Sequence, residues 1–315
     1  MPTQSFPELT YANPTQPRLQ RWFIRTVETM SGRDRFAALY DTWRHCIVPS
    51  GDRIFTRMLD LIDVELDCAD VWPPRPLPDG PLVILANHPF GIGDGIAILA
   101  LAEQLGRPFR IMINAELLKV PEISPYSLPV DFSETKAALA NNLAIRHEAL
   151  RLLKEGVTIV IFPAGGVATA PRGFGAACDL PWKIFAARLI QDARATVIPV
   201  HFAGQNGRLF HLVSKPMLDA RPADGKFARA LGRASLTLRT SLLIREFAKL
   251  SGKSIRVRIG RAIAWDDMAG ITDRKILLRF LQDAVMGLAP TPRPQTQKRV
   301  WRRLGRPVRG AALDS

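Results

Sequence analysis

Short, almost wholly apolar runs alternate with longer segments of helical periodicity through most of this 315-residue chain. The apolar runs have the length of buried strands, which we predict at 81–86, 109–113, 158–162, 196–202 and 254–260. The intervening segments predict helices at 95–105, 133–155, 181–192, 224–250 and 273–288. Because wholly apolar strands separated by helices are typical of sheets covered on both faces, the pattern predicts an α/β fold with a mixed, largely parallel sheet flanked by helices.

The N-terminal part has a different pattern. Residues 18–68 carry apolar side chains at helical spacing, interleaved with arginines, and we predict an annex of two or three amphipathic helices over residues 18–72. Such helices either pack on the main body or insert into a membrane, and we favour packing. The proline-rich run 73–80 is expected to be a linker into the α/β domain, which spans residues 73–289.

The chain is strongly basic, with 43 Lys and Arg against 29 Asp and Glu, a net charge of +14. A polar leader at 1–17 and an arginine-rich tail at 290–315 are both predicted to be disordered. The positive field attracts an anionic membrane surface, nucleic acid or an acidic carrier protein, and composition does not choose among them. The longest apolar stretch, 81–105, is interrupted by His88, Asp94 and glycines, so we expect the protein to lie on a membrane surface if it works there.

Three dispersed cysteines, Cys46, Cys68 and Cys178, lack the spacing of a zinc or redox motif. They are expected to be reduced, buried thiols, and we predict no metal site.

The first chemical candidate follows the predicted strand 81–86. His88 comes just after the end of this strand, and Asp94 lies near the start of the next helix, with three glycines at 91, 93 and 95. A histidine oriented by a carboxylate is a general base suited to neutral pH, and glycines allow a tight loop between the two. The spacing alone also permits Asp94 to be a simple helix cap and His88 a loop histidine.

A second candidate, Phe162-Pro163-Ala164-Gly165-Gly166, follows the predicted strand 158–162. A Gly-Gly turn at this place frees backbone N–H groups to hold a phosphate or an oxyanion, and Arg172 would add positive charge. Taken alone, such a turn is more often structural.

The order of these blocks carries more information than each block alone. Asn87-His88 with a following Asp, then Phe162-Pro163 with Gly165, then Pro199-Val200 at a strand end, resembles the glycerolipid acyltransferase family, whose members carry NHxxxxD, FPEGT and VPV. NHPFG, FPAG and a GxN turn after Pro-Val resemble more closely its bacterial hemolysin-related, ornithine-lipid-type branch. Further matches to this branch lie at 31–33, 179–182 and 256–260.

The resemblance implies an O-acyltransferase that moves a fatty-acyl group from acyl carrier protein or coenzyme A to the hydroxyl of a lysolipid, either lysophosphatidic acid-like or lyso-ornithine-lipid-like. His88 and Asp94 are the expected catalytic residues. We assign substrate binding to residues of the two loops and Arg172, with Asn87 expected to brace its loop: Asn87, Phe162, Pro163, Gly165, Gly166 and Arg172. Lys183 and Arg146 are weaker cationic candidates.

The resemblance also implies no cofactor beyond the thioester co-substrate, and we expect a peripheral position on the cytoplasmic face of the inner membrane. Because the chain has no recognisable nucleic-acid-binding motif, we expect no nucleic-acid partner. Two departures matter: five residues instead of four separate His88 from Asp94, and Ala164 and Gly166 replace the acid and the hydroxyl residue of FPEGT.

Three other functions remain open from sequence. A non-catalytic membrane-binding protein with a decayed core would use its basic helices and tail. A hydrolase would use the His-Asp pair, but the chain has no G-x-S-x-G motif. Nucleic-acid binding is supported only by charge.

Overall fold

The computed structural model describes residues 33–115, 120–131, 135–219, 239 and 242–290. Within them, seven strands form one sheet: β1 Val64–Cys68, β2 Leu82–Ala86, β3 Phe109–Asn114, β4 Ser127–Val130, β5 Thr158–Ile161, β6 Thr196–Ala203 and β7 Lys253–Ile259. The strand order is β1-β7-β6-β2-β5-β3-β4. Every neighbouring pair is parallel except β6 with β7, which confirms the predicted mixed, largely parallel sheet.

Helices flank this sheet as predicted. Those with defined bounds are α1 Arg33–Thr42, α2 Ile54–Leu61, α3 Ile92–Glu103, α4 Lys136–Lys154, α5 Ile184–Ala193, α6 Arg208–Asp219, α7 Trp265–Met268 and α8 Arg274–Met286. Residues 242–248 are also helical. Thr135 and Asp273 cap α4 and α8, their side chains accepting backbone N–H groups of the first turn.

The core has two layers, one on each face of the sheet. Alternate residues of β2 enter opposite layers, as the period of two in a strand requires: Leu82 and Ile84 pack towards α2 and α3, and Val83 and Leu85 pack towards α4, α5 and α8. All of β2 and β5 is buried, which explains their unbroken apolar sequences.

The described part of the annex packs on this body. The Nε1 of Trp43 donates to the carbonyl of Ile54 at 2.8 Å, and Trp43 and Phe55 are almost completely buried. The Glu103 carboxylate of α3 accepts the N–H groups of Phe55 and Thr56 at 3.0 and 2.9 Å, in the first turn of α2. Residues 33–50 and 54–61 are therefore helical and join the core, and residues 18–32 lie outside the described part.

Strands β1 and β4 are differences from the sequence prediction. β1 lies inside the stretch that we assigned to amphipathic helices. Val64, Leu66 and Cys68 alternate with Glu65 and Asp67, which is the period of a strand with one exposed face. Pairing with β7, more than 180 residues away, decides the structure there. β4 is only four residues long and pairs only with β3.

Other predictions fall outside the described residues or are wrong. The leader 1–17 and the tail from 291 are not described, and helix 224–250 is described only at 239 and 242–250. The predicted burial of the cysteines is wrong for Cys46 and Cys178, which are exposed. Cys46 lies on the outer side of the helical segment Trp43–Ile47, and Cys178 lies in a backbone bridge with Thr169. Among the described residues, no helix has the length and apolarity needed to cross a bilayer, and no side-chain group is arranged to hold a metal.

Candidate active site

The predicted site loops leave the carboxyl ends of three adjacent strands. β5, β2 and β6 are neighbours, and because they are parallel, the loops that follow them meet at one edge of the sheet. This is the edge at which open α/β sheets bind ligands.

His88 and Asp94 form a contact at this edge. The Nδ1 of His88 lies 3.1 Å from the Oδ1 of Asp94; the aspartate side chain is fully buried and that of His88 is 16% exposed. These two buried atoms make no hydrogen bond with any described residue, and they face each other at this distance. Because buried polar atoms are rarely unpaired, we take the two groups as partners. A carboxylate at Nδ1 keeps the proton there and leaves Nε2 as the basic nitrogen.

The loop between His88 and Asp94 turns at Gly91. This residue is the N-cap of α3 with φ 86° and ψ −94°. A Cβ at this position would lie 3.0 Å from Cγ2 of Val167 in the neighbouring loop, so both the backbone conformation and the close approach require glycine.

Asp94 has a second contact. Its Oδ2 accepts the N–H of Phe90 at 2.8 Å, just before the start of α3. The carboxylate therefore closes the N-terminal turn with one oxygen and faces the imidazole with the other. Of the two interpretations that the sequence left open, the N-cap is wrong, because Gly91 occupies that position and Asp94 lies inside the first turn of α3. The contact with His88 is observed.

Phe162 stacks on the imidazole. The two ring centroids are 4.1 Å apart with an interplanar angle of 26°. The structure thus places Phe162, predicted as a substrate-binding residue, on one face of the His88 ring, where it restricts ring rotation. Pro163 is buried, and its carbonyl accepts the N–H of Lys183 at 2.9 Å at the start of α5.

The two glycines of this loop differ in their backbone contacts. The Gly165 N–H donates to the carbonyl of Phe162 at 3.0 Å and so closes the turn, with φ 66°. The Gly166 N–H donates to no protein acceptor among the described residues. Of the two predicted anion donors, only Gly166 keeps a backbone N–H available.

Both backbone groups of His88 are held by the segment that follows the glycines. The His88 carbonyl accepts the N–H of Ala168 at 2.7 Å. Its N–H donates to Oδ1 of Asp179 at 3.2 Å, and Oδ2 of Asp179 accepts the Nε1 of Trp182 at 3.0 Å. In the sequence, Asp179 and Trp182 were recognisable only as matches to a family branch, without a role.

Asn87 braces the same loop. Its amide nitrogen donates to the carbonyl of Phe202 at 2.9 Å, and its amide oxygen accepts the Phe202 N–H at 2.7 Å. This pair of bonds ties the end of β2 to β6. The expected bracing role therefore has a structural basis, and contact of Asn87 with substrate stays a prediction.

The Gly-x-Asn turn after β6 packs on the His88 loop. The Nδ2 of Asn206 approaches the carbonyl of Phe90 at 3.4 Å. A Cβ on Gly204 would lie 2.4 Å from the Phe90 ring, so only glycine lets this ring pack there. The three sequence blocks thus meet around one histidine.

The predicted cationic residues do not contact the imidazole. Arg172 is exposed in a turn and makes no hydrogen bond or ion pair with a described residue. Lys183 is exposed at the N-cap of α5. Arg146 pairs with Asp192 near the other end of α5, which gives it a structural role away from this edge.

Arg239 is a buried cation that the sequence analysis did not single out. Burial lowers the pKa of Arg239 to about 10. This value is still well above neutral pH, and the guanidinium therefore stays charged there. It donates to the Val167 carbonyl at 2.5 Å and to Oγ1 of Thr169 at 3.1 Å, and it lies 5.0 Å from the centroid of the Phe210 ring. It therefore holds the end of the glycine loop. Its segment is rich in basic residues, so the sequence offers no signal that separates it from them.

Asp179 leads to a pH prediction. Burial raises the pKa of this carboxyl, although hydrogen bonds from Trp182 and the His88 N–H oppose the shift. Because the pKa in the folded state lies above that in the unfolded state, the stability linked to this group is present below about pH 3.8 and is lost as the pH rises through the raised value. We expect Asp179→Asn to gain stability relative to the unsubstituted protein as the pH rises from about 4 to 7. Urea denaturation across this range measures the difference; a difference independent of pH would contradict the assignment.

Comparisons with known proteins find similarity to acyltransferases. The sequence model of a family described as acyltransferase matches residues 74–282. A lyso-glycine lipid O-acyltransferase of Phocaeicola vulgatus is 24% identical over 67% of this chain and 69% of its own length. One of Bacteroides thetaiotaomicron is 26% identical over 59% of this chain and 62% of its own length, so the match spans less than two thirds of that relative.

Among solved structures, the 1-acyl-sn-glycerophosphate acyltransferase PlsC of Thermotoga maritima aligns with 86% of this chain and 92% of its own, at a TM-score of 0.45 and 14% identity.

Proposed function

The chain belongs to the acyltransferase family, and from this premise we propose that it transfers a fatty-acyl group from a thioester to the hydroxyl of a lysolipid, with His88 as the general base. One observation carries the proposal: Nδ1 of His88 lies 3.1 Å from the buried carboxylate of Asp94. The opposite nitrogen, Nε2, makes no hydrogen bond with a described residue, so it can accept a proton from a substrate.

The proposed reaction proceeds without an acyl-enzyme. Nε2 of His88 takes the proton of the acceptor hydroxyl as its oxygen attacks the thioester carbonyl, and Asp94 stabilises the imidazolium that forms. The tetrahedral intermediate then expels the thiolate, which takes the proton from His88 and leaves as the free thiol. A thiol with a pKa of about 8.5 is a good leaving group near neutral pH, so the chain's own residues suffice for this step.

The developing oxyanion needs hydrogen-bond donors, and Gly166 is the best candidate. Its N–H is directed to no described protein acceptor, and its loop carries Phe162, which stacks on the His88 ring. Arg239, bonded to the Val167 carbonyl one residue further on, adds positive charge near this loop.

For the acceptor we propose an amino-acid-containing lysolipid rather than lysophosphatidic acid. Both curated relatives are lyso-glycine lipid O-acyltransferases. In addition, Ala164 and Gly166 stand where FPEGT has an acid and a hydroxyl residue, so this chain lacks side-chain groups that the phosphate-acceptor members of the family carry.

For the donor and the location we propose acyl carrier protein or coenzyme A thioesters, used at the cytoplasmic face of the inner membrane. The net charge of +14 supports attraction to an acidic carrier, to the phosphates of coenzyme A and to anionic headgroups.

Mass spectrometry of lipids from cells with and without the gene tests the function. We expect one lysolipid to accumulate and its acylated form to disappear when the gene is deleted. The unsubstituted gene should restore the acylated lipid, and a His88→Gln gene should not. An unchanged lipid profile, or full restoration by His88→Gln, would contradict the proposal.

A further inference from the structure

A small hairpin extends from the candidate site and ends in exposed apolar side chains. Thr169 and Cys178 pair through two backbone hydrogen bonds of 2.9 and 3.2 Å, and they close the turn 170–177. The residues just outside this pair are Ala168 and Asp179, which bind the carbonyl and the N–H of His88. The hairpin is therefore anchored at both ends to the catalytic loop.

The turn carries an aromatic residue into solvent next to an apolar face of α6. Phe174 is 64% exposed, and Leu209 and Leu212 on α6 are 44% and 52% exposed. Leu209 and Leu212 are three residues apart and so share one face of the helix. A Cβ on Gly173 would lie 3.0 Å from Leu212, which shows that the turn and the helix are in close contact.

The hairpin is held in place by a side chain from the neighbouring loop. The amide oxygen of Gln205 accepts the N–H of Ala177 at 2.8 Å, and its amide nitrogen donates to the carbonyl of Gly175 at 3.0 Å. The apolar residues are thus presented by a braced turn and a helix. Exposed clusters of this kind mark contact with a membrane or a partner.

Two exposed arginines lie next to these apolar side chains. Arg172 lies in the same turn, two residues before Phe174, and Arg208 begins α6 next to Leu209; both arginines are exposed. Large apolar side chains beside arginines are typical of surfaces that enter the headgroup region of anionic lipid.

We propose that this surface, formed by Phe174, Leu209 and Leu212 with Arg172 and Arg208 and here called the tip surface, docks the protein on an anionic lipid bilayer. The inference rests on the proposed function, because a lysolipid acceptor resides in a membrane. Docking through a hairpin anchored on both sides of His88 brings the catalytic edge of the sheet to the bilayer. The lysolipid acceptor can then move from the bilayer to the His88 imidazole without passing through bulk water.

Co-sedimentation of the full chain with phosphatidylglycerol–phosphatidylcholine vesicles, without substrates, tests the proposal. We expect Phe174→Ser/Leu212→Ser to weaken binding about ten-fold or more, because two apolar side chains no longer enter the bilayer. Arg172→Gln/Arg208→Gln should weaken binding to these vesicles several-fold and hardly affect binding to phosphatidylcholine alone. Phe174→Ser, at the most exposed of the three apolar residues, provides a second variant if the double variant is unstable.

The matched control is Ile276→Ser on α8. Ile276 is 61% exposed, and α8 begins beside the far end of α5, where Gln191 donates to the carbonyl of Thr272 at 3.2 Å. This is the edge of the sheet opposite to His88, so the control should bind vesicles as the unsubstituted protein does.

Unchanged binding by the tip variants, or an equal loss with Ile276→Ser, would overturn the proposal. Retained vesicle binding with a raised KM for acyl carrier protein thioesters would show a carrier-docking surface instead. Vesicle binding through the tip surface without lysolipid acylation would refute the proposed function and leave the docking surface standing.

Discussion

Replacing His88 with alanine is expected to lower kcat for lysolipid acylation about 10²- to 10⁴-fold, the usual contribution of a general base. The residue has its Nδ1 against Asp94 and one ring face against Phe162, so its remaining nitrogen is the base available to the acceptor hydroxyl. Release of free thiol from an acyl thioester, followed in the presence of lysolipid, measures the effect.

Two further variants make this result specific. His88→Gln keeps a polar side chain of similar reach and should lose activity to a similar extent, which separates proton transfer from loss of packing. His147→Gln replaces an exposed histidine on α4 and should keep full activity. Full activity in a well-folded His88→Ala protein would refute the assignment.

Asp94→Asn is expected to lower kcat by a comparable factor, about 10²- to 10⁴-fold, with little change in folding. An amide oxygen can still accept the Phe90 N–H, which Oδ2 of Asp94 accepts at 2.8 Å. The amide nitrogen would then face Nδ1 of His88 as a donor. Because this arrangement moves the imidazole proton to Nε2, the ring loses its basic nitrogen on the substrate side.

Thermal unfolding and activity must be measured on the same Asp94→Asn sample. The expected result is a nearly unchanged unfolding temperature with a large loss of rate. Asp94→Ala is the matched comparison: it also removes the acceptor of the Phe90 N–H at the first turn of α3 and should lose stability as well as activity. An Asp94→Asn protein with unchanged rate would show that Asp94 only stabilises the first turn of α3.

The sheet was predictable because its central strands are buried on both faces. β2 is wholly apolar, and β5 and β6 are apolar apart from Thr158, Thr196 and His201, a composition that no amphipathic helix of that length would show. The peripheral strands were not predictable in this way. β1 has only one covered face, and its short alternation is visible only once its partner β7 is known.

The candidate site was predictable where the chemistry lies close in sequence. His88 and Asp94 are six positions apart, and the contact between them is local. The contacts that hold the His88 loop involve distant segments. Asp179, which accepts the His88 N–H, lies 91 residues away, and Asn87 binds the backbone of Phe202 across 115 residues. Such contacts depend on which strands are neighbours, so sequence patterns alone do not reveal them.

Two arginines show that position in the sequence does not reveal which cation contacts the glycine loop, and substrate binding by Arg172 stays a prediction. Its position soon after the glycine loop suggested an anion contact, but the chain forms a hairpin at 169–178 and carries the guanidinium into solvent. Arg239, much later in the chain, returns to the loop and binds it. Proximity in sequence was therefore a poor guide to which arginine approaches the site.

The most direct measurement of the central claim compares thiol released with lipid acylated by the purified full chain. Given an acyl thioester and a lyso-glycine lipid, the protein should release free thiol only when the lysolipid is present and form the acylated lipid in equal amount, and His88→Gln should do neither. Thiol release without lysolipid, or vesicle binding with no acyl transfer from either carrier protein or coenzyme A thioesters, would contradict it.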